Sequence, residues 1–123
     1  MTKVIINGSK GRMGNALLSC GEESPEIEIT AGIDLGDNLA DIIKDADAVI
    51  EFSFHEVTRD IAEMCAKYKK ALIIGTTGHS EADKSAIIKL KSQIPIVWAS
   101  NFSTGVNTLF WLTRKATEVL GAD

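Results

Sequence analysis

The sequence predicts a single doubly wound α/β domain built on a parallel sheet, and three observations predict it. Five short apolar runs recur along the chain: "KVIIN" (3–7), "EIEITAGID" (26–34), "DAVIEF" (47–52), "ALIIG" (71–75) and "PIVWA" (95–99). Stretches of helical periodicity separate them, and parallel strands need such crossovers because hairpin turns cannot connect them. The 123 residues are 45% hydrophobic, enough for one domain with its own core, and no repeat or low-complexity linker divides them.

The first strand, 3–7, ends at Gly8, and Met13, Ala16, Leu17 and Cys20 then recur at helical spacing. In the second run, Ile27, Ile29, Ala31 and Ile33 alternate with mostly polar neighbours as a strand that stops at Asp34. A brief helix is expected from Leu39 to Lys44, before the third strand at 47–52. Ser53 and Glu56 then read as a capping box and Phe52 with Val57 as a hydrophobic staple, so a helix should start there. Its apolar stripe is Val57, Ile61, Met64, Cys65 and Tyr68, and Lys67, Lys69 and Lys70 suit the negative end of its dipole. After the fourth strand comes the loop "TTGH", then a helix opened by Ser80 and Asp83. The fifth strand leads through "SNFSTG" to a final helix with Val106, Leu109, Phe110, Thr113, Ala116 and Leu120 on one face. In such a sheet the loops after strands one, three, four and five converge at the switch point, where a site should be sought.

Seventeen acidic residues against thirteen basic give a net charge of −4, the wrong sign for wrapping nucleic acid or an anionic membrane surface. No signal-like segment precedes Lys3 and no apolar run approaches membrane-spanning length, so a soluble cytoplasmic protein is expected. Cys20 and Cys65 form no C-x-x-C pair, and both are expected as reduced core residues. No metal-ligating cluster and no nucleophile with a positioned base is visible.

The loop "NGSKGRMGNA" (7–16) places glycines at 8, 11 and 14 rather than in G-x-G-x-x-G spacing. Gly11 and Gly14 satisfy the last two positions of the dinucleotide pattern and Gly8 supplies a shifted turn glycine, with backbone amides near the helix start facing a phosphate. Alone, this loop fits a structural strand-to-helix turn equally well. Asp34 favours a dinucleotide, because it ends strand two 20 residues beyond Gly14, where a carboxylate accepts hydrogen bonds from an adenosine ribose. Leu35 follows it, with no arginine for a 2′-phosphate, so NADH is favoured over NADPH. Lys10 and Arg12 keep NADPH possible.

"GSKGRMG", "VIEFS", "IIGTTG" and "ASNFSTGVN", in that order and spacing, resemble the amino-terminal domain of the 4-hydroxy-tetrahydrodipicolinate (dihydrodipicolinate) reductase family, over essentially the whole chain. The resemblance implies a Rossmann-like domain from a cytoplasmic homotetramer of the diaminopimelate and lysine pathway, which reduces a cyclic dicarboxylate of dipicolinate type with a nicotinamide hydride. By resemblance, Gly8, Ser9, Lys10, Gly11, Arg12 and Met13 hold the pyrophosphate and Asp34 the adenosine ribose. Gly75, Thr76 and Thr77 line the nicotinamide ribose, and Ala99, Ser100, Asn101 and Phe102 approach the nicotinamide. From the residues themselves, Thr76 and Thr77 also fit a hydroxyl-capped turn, and Asn101 a side chain satisfying its own loop.

The chain departs from the family pattern at Glu51-Phe52-Ser53, where DFT is common, at Ser100, where proline or alanine is common, and at Leu35, where some members have arginine. The family's catalytic and substrate groups lie in a second, tetramer-forming domain with an HHxxKxDxPSGTA-like motif that nothing in residues 1–123 matches. His55 and His79 are expected to be solvated. Residues 1–123 are thus expected to be a cofactor-binding domain with no catalytic residue of its own. The alternatives are a self-contained, non-catalytic NAD(P)-sensing module and another small-substrate dehydrogenase.

Overall fold

The computed structural model describes residues 1–121. Five parallel strands form one sheet in the order β2-β1-β3-β4-β5: β1 (Thr2–Asn7), β2 (Ile27–Ile33), β3 (Ala48–Glu51), β4 (Ala71–Ile74) and β5 (Ile96–Trp98). The helices between and after them are α1 (Arg12–Glu23), α2 (Leu39–Ile42), α3 (His55–Tyr68), α4 (Glu81–Lys89) and α5 (Thr104–Leu120). This is the predicted Rossmann-like class. Its strand order reverses between β1 and β3, so the crevice at their carboxyl ends is the switch point.

The strand register sorts side chains onto two faces. Ile5, Val49, Leu72 and Ile96 form one row, with Asn7, Glu51, Ile74 and Trp98 beyond it. That face carries the core, where Ile5, Val49, Leu72 and Ile74 pack with Ile43, Ile61, Ala62, Cys65, Ala66 and Ile87 from the α2–α4 side. On the opposite face the row Ile6, Ile50, Ile73 and Val97 is increasingly uncovered towards β5, from 1% exposure at Ile6 to 55% at Val97. Helix α1 packs against β1 and β2 and stops short of that open half.

Four local expectations change. Helix α1 turns Gly14, Leu17, Leu18 and Gly21 inward, one position out of phase with the predicted stripe; Met13, Ala16 and Cys20 are exposed. Two glycines cause the rotation. A Cβ on Gly14 would strike the backbone of Gly8 and Ser9, and one on Gly21 would strike the Ile29 side chain, so contact without a side chain sets the helix phase. Cys65, by contrast, is fully buried, and burial pushes its thiol up to about 12, leaving it an unreactive apolar residue.

The second change is at α3. Its N-cap is Phe54, without a side-chain cap, because the Ser53 hydroxyl and amide both bond back to the Glu51 carboxylate. The expected Ser53–Glu56 capping box therefore does not form, and the Phe52 ring covers Gly75. At the other end Lys69 adopts a left-handed conformation (φ 57°) and Lys70 Nζ donates to the Lys44 carbonyl at 2.9 Å. Third, the helix expected at Leu39–Lys44 divides into one α-turn and a tighter 3-10 turn at Ile43–Asp45. Fourth, α5 is capped by Ser103, whose hydroxyl accepts from the Val106 amide at 3.3 Å, yet it buries none of its residues.

Candidate dinucleotide crevice

Glycine 8 makes the turn out of β1. Its φ of +84° suits glycine, and a Cβ there would collide with the Phe52 carbonyl, so the loop lies directly against the end of β3. The amides of Gly8 and Ser9 both donate to the Ile33 carbonyl, at 2.9 and 3.0 Å, and Gly11 N–H donates to the Gly8 carbonyl at 3.1 Å. Lys10 N–H donates to Asp34 Oδ2 at 2.9 Å. The loop's own donors are thus already used, and it is a rigid support. The amides of Arg12, Met13 and Gly14 remain, since the first backbone bond of the helix is that from Asn15 to Gly11. These are the orphan donors of a helix start, aligned with its positive dipole end.

Asp34 sits across the loop from them. Its Oδ1 accepts from Leu35 N–H at 2.8 Å and its Oδ2 from Lys10 N–H, and these bonds, Leu35's first, hold its carboxyl below the usual aspartate range. Each oxygen keeps a further lone pair for a ligand. Beside Asp34 lies a mostly apolar pocket of about 230 Å³, whose walls include Leu35, Leu39, Val57, Ile61 and Met64. Among the described residues, its charged lining consists of Asp34, Asp37 and Asp60.

Next to this pocket, and sharing Ser53 and Phe54 with it, is a more open compartment of about 440 Å³. Gly11, Arg12 and Met13 form one side, and Phe52, Gly75, Thr76 and Thr77 the other. A Cβ on Gly75 would fall on the Phe52 ring, so this glycine lets the β4 loop close over Phe52. Beneath them Glu51 is completely buried and receives hydrogen bonds from Asn7, Ser53 and Thr76.

The predicted residues after β5 are more dispersed. Ala99 continues the sheet through its amide to the Ile74 carbonyl, and Ser100 lines a third hollow with Thr76, Thr77, Lys84 and Trp98. Asn101 uses its side chain locally, accepting from Ser103 N–H at 2.7 Å, as its turn-forming alternative predicted. Phe102 returns towards the site, its ring 6.0 Å from that of Phe52.

His79 corrects an expectation: it is buried, not solvated. The ring packs edge-on to Trp98 at 5.0 Å and lies 6.4 Å from His55, and its Nε2 has no hydrogen-bond partner among the described residues. Burial, and then the neighbouring His55, lower its affinity for a proton. Sequence inspection also missed the apolar pocket beside Asp34, although Leu39, Val57, Ile61 and Met64 were legible as helix-face residues.

Comparison with known proteins supplies the family and the fold. A family described as "Dihydrodipicolinate reductase, N-terminus" matches residues 2–102. A 4-hydroxy-tetrahydrodipicolinate reductase from Akkermansia muciniphila is 40% identical over 98% of this chain and 49% of that protein. One from Caldanaerobacter subterraneus is 34% identical over 98% and 51%. The chain thus spans about half the length of these curated relatives. Among solved structures, a dipicolinate-bound dihydrodipicolinate reductase from Paenisporosarcina sp. TG-14 has the same fold, with a TM-score of 0.81 at 19% identity over 95% of this chain and 54% of that one.

Proposed function

The chain belongs to the dihydrodipicolinate reductase amino-terminal family, and from that membership we propose that it is the part of a 4-hydroxy-tetrahydrodipicolinate reductase that binds the nicotinamide dinucleotide. One observation carries this reading: the free helix-start amides of Arg12 and Met13 and the carboxylate of Asp34 belong to two adjoining compartments that share Ser53 and Phe54 at the β1/β3 switch point. Anionic phosphates suit the first and ribose hydroxyls the second. The mostly apolar pocket lined by Leu35, Leu39, Val57 and Met64 suits the adenine ring.

The chain's own contribution is to hold and orient. The amides of Arg12 and Met13 donate to the pyrophosphate, and Arg12 adds charge. Asp34 accepts from the adenosine ribose through its unused lone pairs. Gly75, Thr76 and Thr77, with Phe102 beside Phe52, line the nicotinamide end, and Ser100 lies past Thr76. The bound dinucleotide supplies the hydride for reduction of a cyclic dicarboxylate in lysine and diaminopimelate synthesis. The proton donor and the groups for the substrate carboxylates belong to the remainder of the full-length homotetramer, and so does turnover.

NADH is the preferred form, because a 2′-phosphate at Asp34 would enter a pocket whose charged lining is Asp34, Asp37 and Asp60. Calorimetric titration of the polypeptide with NADH, NADPH and ADP-ribose tests both proposals. NADH and ADP-ribose should bind, NADPH more weakly, and Asp34→Ala should weaken NADH by about tenfold or more while narrowing the gap to NADPH. Undiminished NADH binding by Asp34→Ala would refute the ribose assignment.

A further inference from the structure

Glu51 is a buried carboxylate with no role legible in the sequence. It ends β3 with no exposed surface, directly below the crevice. A polar group so placed is costly unless it is richly hydrogen-bonded, and this one is. Asn7 Nδ2, from the end of β1, donates to Oε2 at 2.5 Å. Ser53 donates both its amide, at 2.9 Å, and its hydroxyl to Oε1. Thr76 Oγ1, from the loop after β4, lies 3.1 Å from the same Oε1 and 3.3 Å from the Glu51 carbonyl. Three loops that line the crevice therefore meet at one side chain.

The direction of these bonds matters. Carboxylate and carbonyl oxygens only accept, so the single hydroxyl protons of Ser53 and Thr76 must both point inward to Glu51. Asn7 Nδ2 donates its second proton to Ser53 Oγ at 3.1 Å, which fixes the serine further. Towards the crevice, both hydroxyls are left with lone pairs alone.

We propose that Glu51 is the positioning residue of the crevice: it ties the loops after β1, β3 and β4 to one point and presents Ser53 and Thr76 to the ligand as hydrogen-bond acceptors. Resting on the dinucleotide reading, this assigns the crevice floor to ligand O–H and N–H donors, such as ribose hydroxyls or a carboxamide NH2. Phosphoryl oxygens, which need donors, are left to the start of α1. Glutamine at 51 breaks the arrangement, because its NH2 would oppose the Asn7 amide or one of the hydroxyls.

Amide hydrogen exchange and NADH titration of the whole polypeptide test this together. In Glu51→Gln, exchange at Ser53 and residues 75–77 should accelerate about tenfold while the strand amides of Val49 and Leu72 stay as they were, and NADH should bind about tenfold more weakly. Thr76→Val should weaken NADH and Thr76→Ser should restore it. The double variant Glu51→Gln/Thr76→Val should bind no worse than the weaker single variant, since the Thr76 contribution already depends on Glu51. Unchanged exchange at Ser53, or losses that multiply in the double variant, would overturn the proposal. If Glu51→Gln does not fold, Glu51→Asp, which withdraws the carboxylate by one methylene, gives the same comparison: acceleration confined to Ser53 and 75–77 supports the clamp and uniform acceleration overturns it. A wild-type polypeptide that ignores NADH would refute the dinucleotide reading instead, while its exchange pattern against the Glu51 variants still decides the clamp.

Discussion

Asp34 and Glu51 both end strands at the crevice, yet only the first was legible from sequence. Asp34 lies at a recurrent distance from a glycine loop, so its neighbours in the chain announce it. Glu51 has two partners, Asn7 and Thr76, that lie 44 and 25 residues away, and acidic residues are almost never fully buried unless paired; nothing local separates it from an exposed strand end. His79 hid similarly, because a polar loop after glycine reads as surface and its burial comes from Trp98 on another strand. Its orphaned Nε2 makes a prediction. The folded ring takes up a proton less readily than the unfolded one, so the stability gained by keeping it neutral is complete above the ordinary histidine range and is lost as pH falls through that range. His79→Phe keeps the edge contact with Trp98 and removes the unpaired nitrogen. It should stabilise the fold by about 1 kcal/mol at neutral pH, with the advantage growing towards about pH 5. Urea melts across that range would show a flat difference if His79 were solvated.

Two serine-initiated patterns, Ser53 to Glu56 and Ser80 to Asp83, look alike in sequence and behave differently in the fold. Ser80 Oγ accepts from Asp83 N–H at 3.1 Å and caps α4, whereas Ser53 is captured by Glu51 and α3 starts uncapped. Capping motifs are local signals, and a competing partner supplied by tertiary structure is invisible to them. Ser80→Ala should therefore cost about 1 kcal/mol of stability, while Glu56→Ala, which would open a genuine capping box, should leave the melting temperature essentially unchanged. Equal losses would restore the box. The phase of α1 teaches the same lesson: hydrophobic periodicity located the helix, but Gly14 and Gly21, which the pattern ignores, decide which side faces the sheet. The strands were the easiest elements to read, because β1, β3 and β4 are short apolar runs with polar or glycine punctuation.

For the molecule as a whole, strand count, order of elements and the placement of the crevice follow from alternation alone, while the incomplete second layer does not. A sequence pattern marks an apolar face and is silent on what covers it. Here the sheet face around Val97 and the α5 side chains Leu109, Phe110 and Trp111 are left more than half exposed, a large apolar area for a chain of this size. The polypeptide should enhance the fluorescence of a hydrophobic dye at neutral pH, and Leu109→Ser/Phe110→Ser should lower that signal with a stability change within about 0.5 kcal/mol; a large loss of stability would show that α5 is packed after all. The paired compartments have a chemical corollary of their own. Because Ser53 and Phe54 form a common wall, a purine fragment lodged beside Met64 and a pyridine fragment beside Thr77 could be bridged along that wall, and joining two weak ligands by a linker of matched span would multiply their affinity by roughly a hundredfold or more through effective concentration alone.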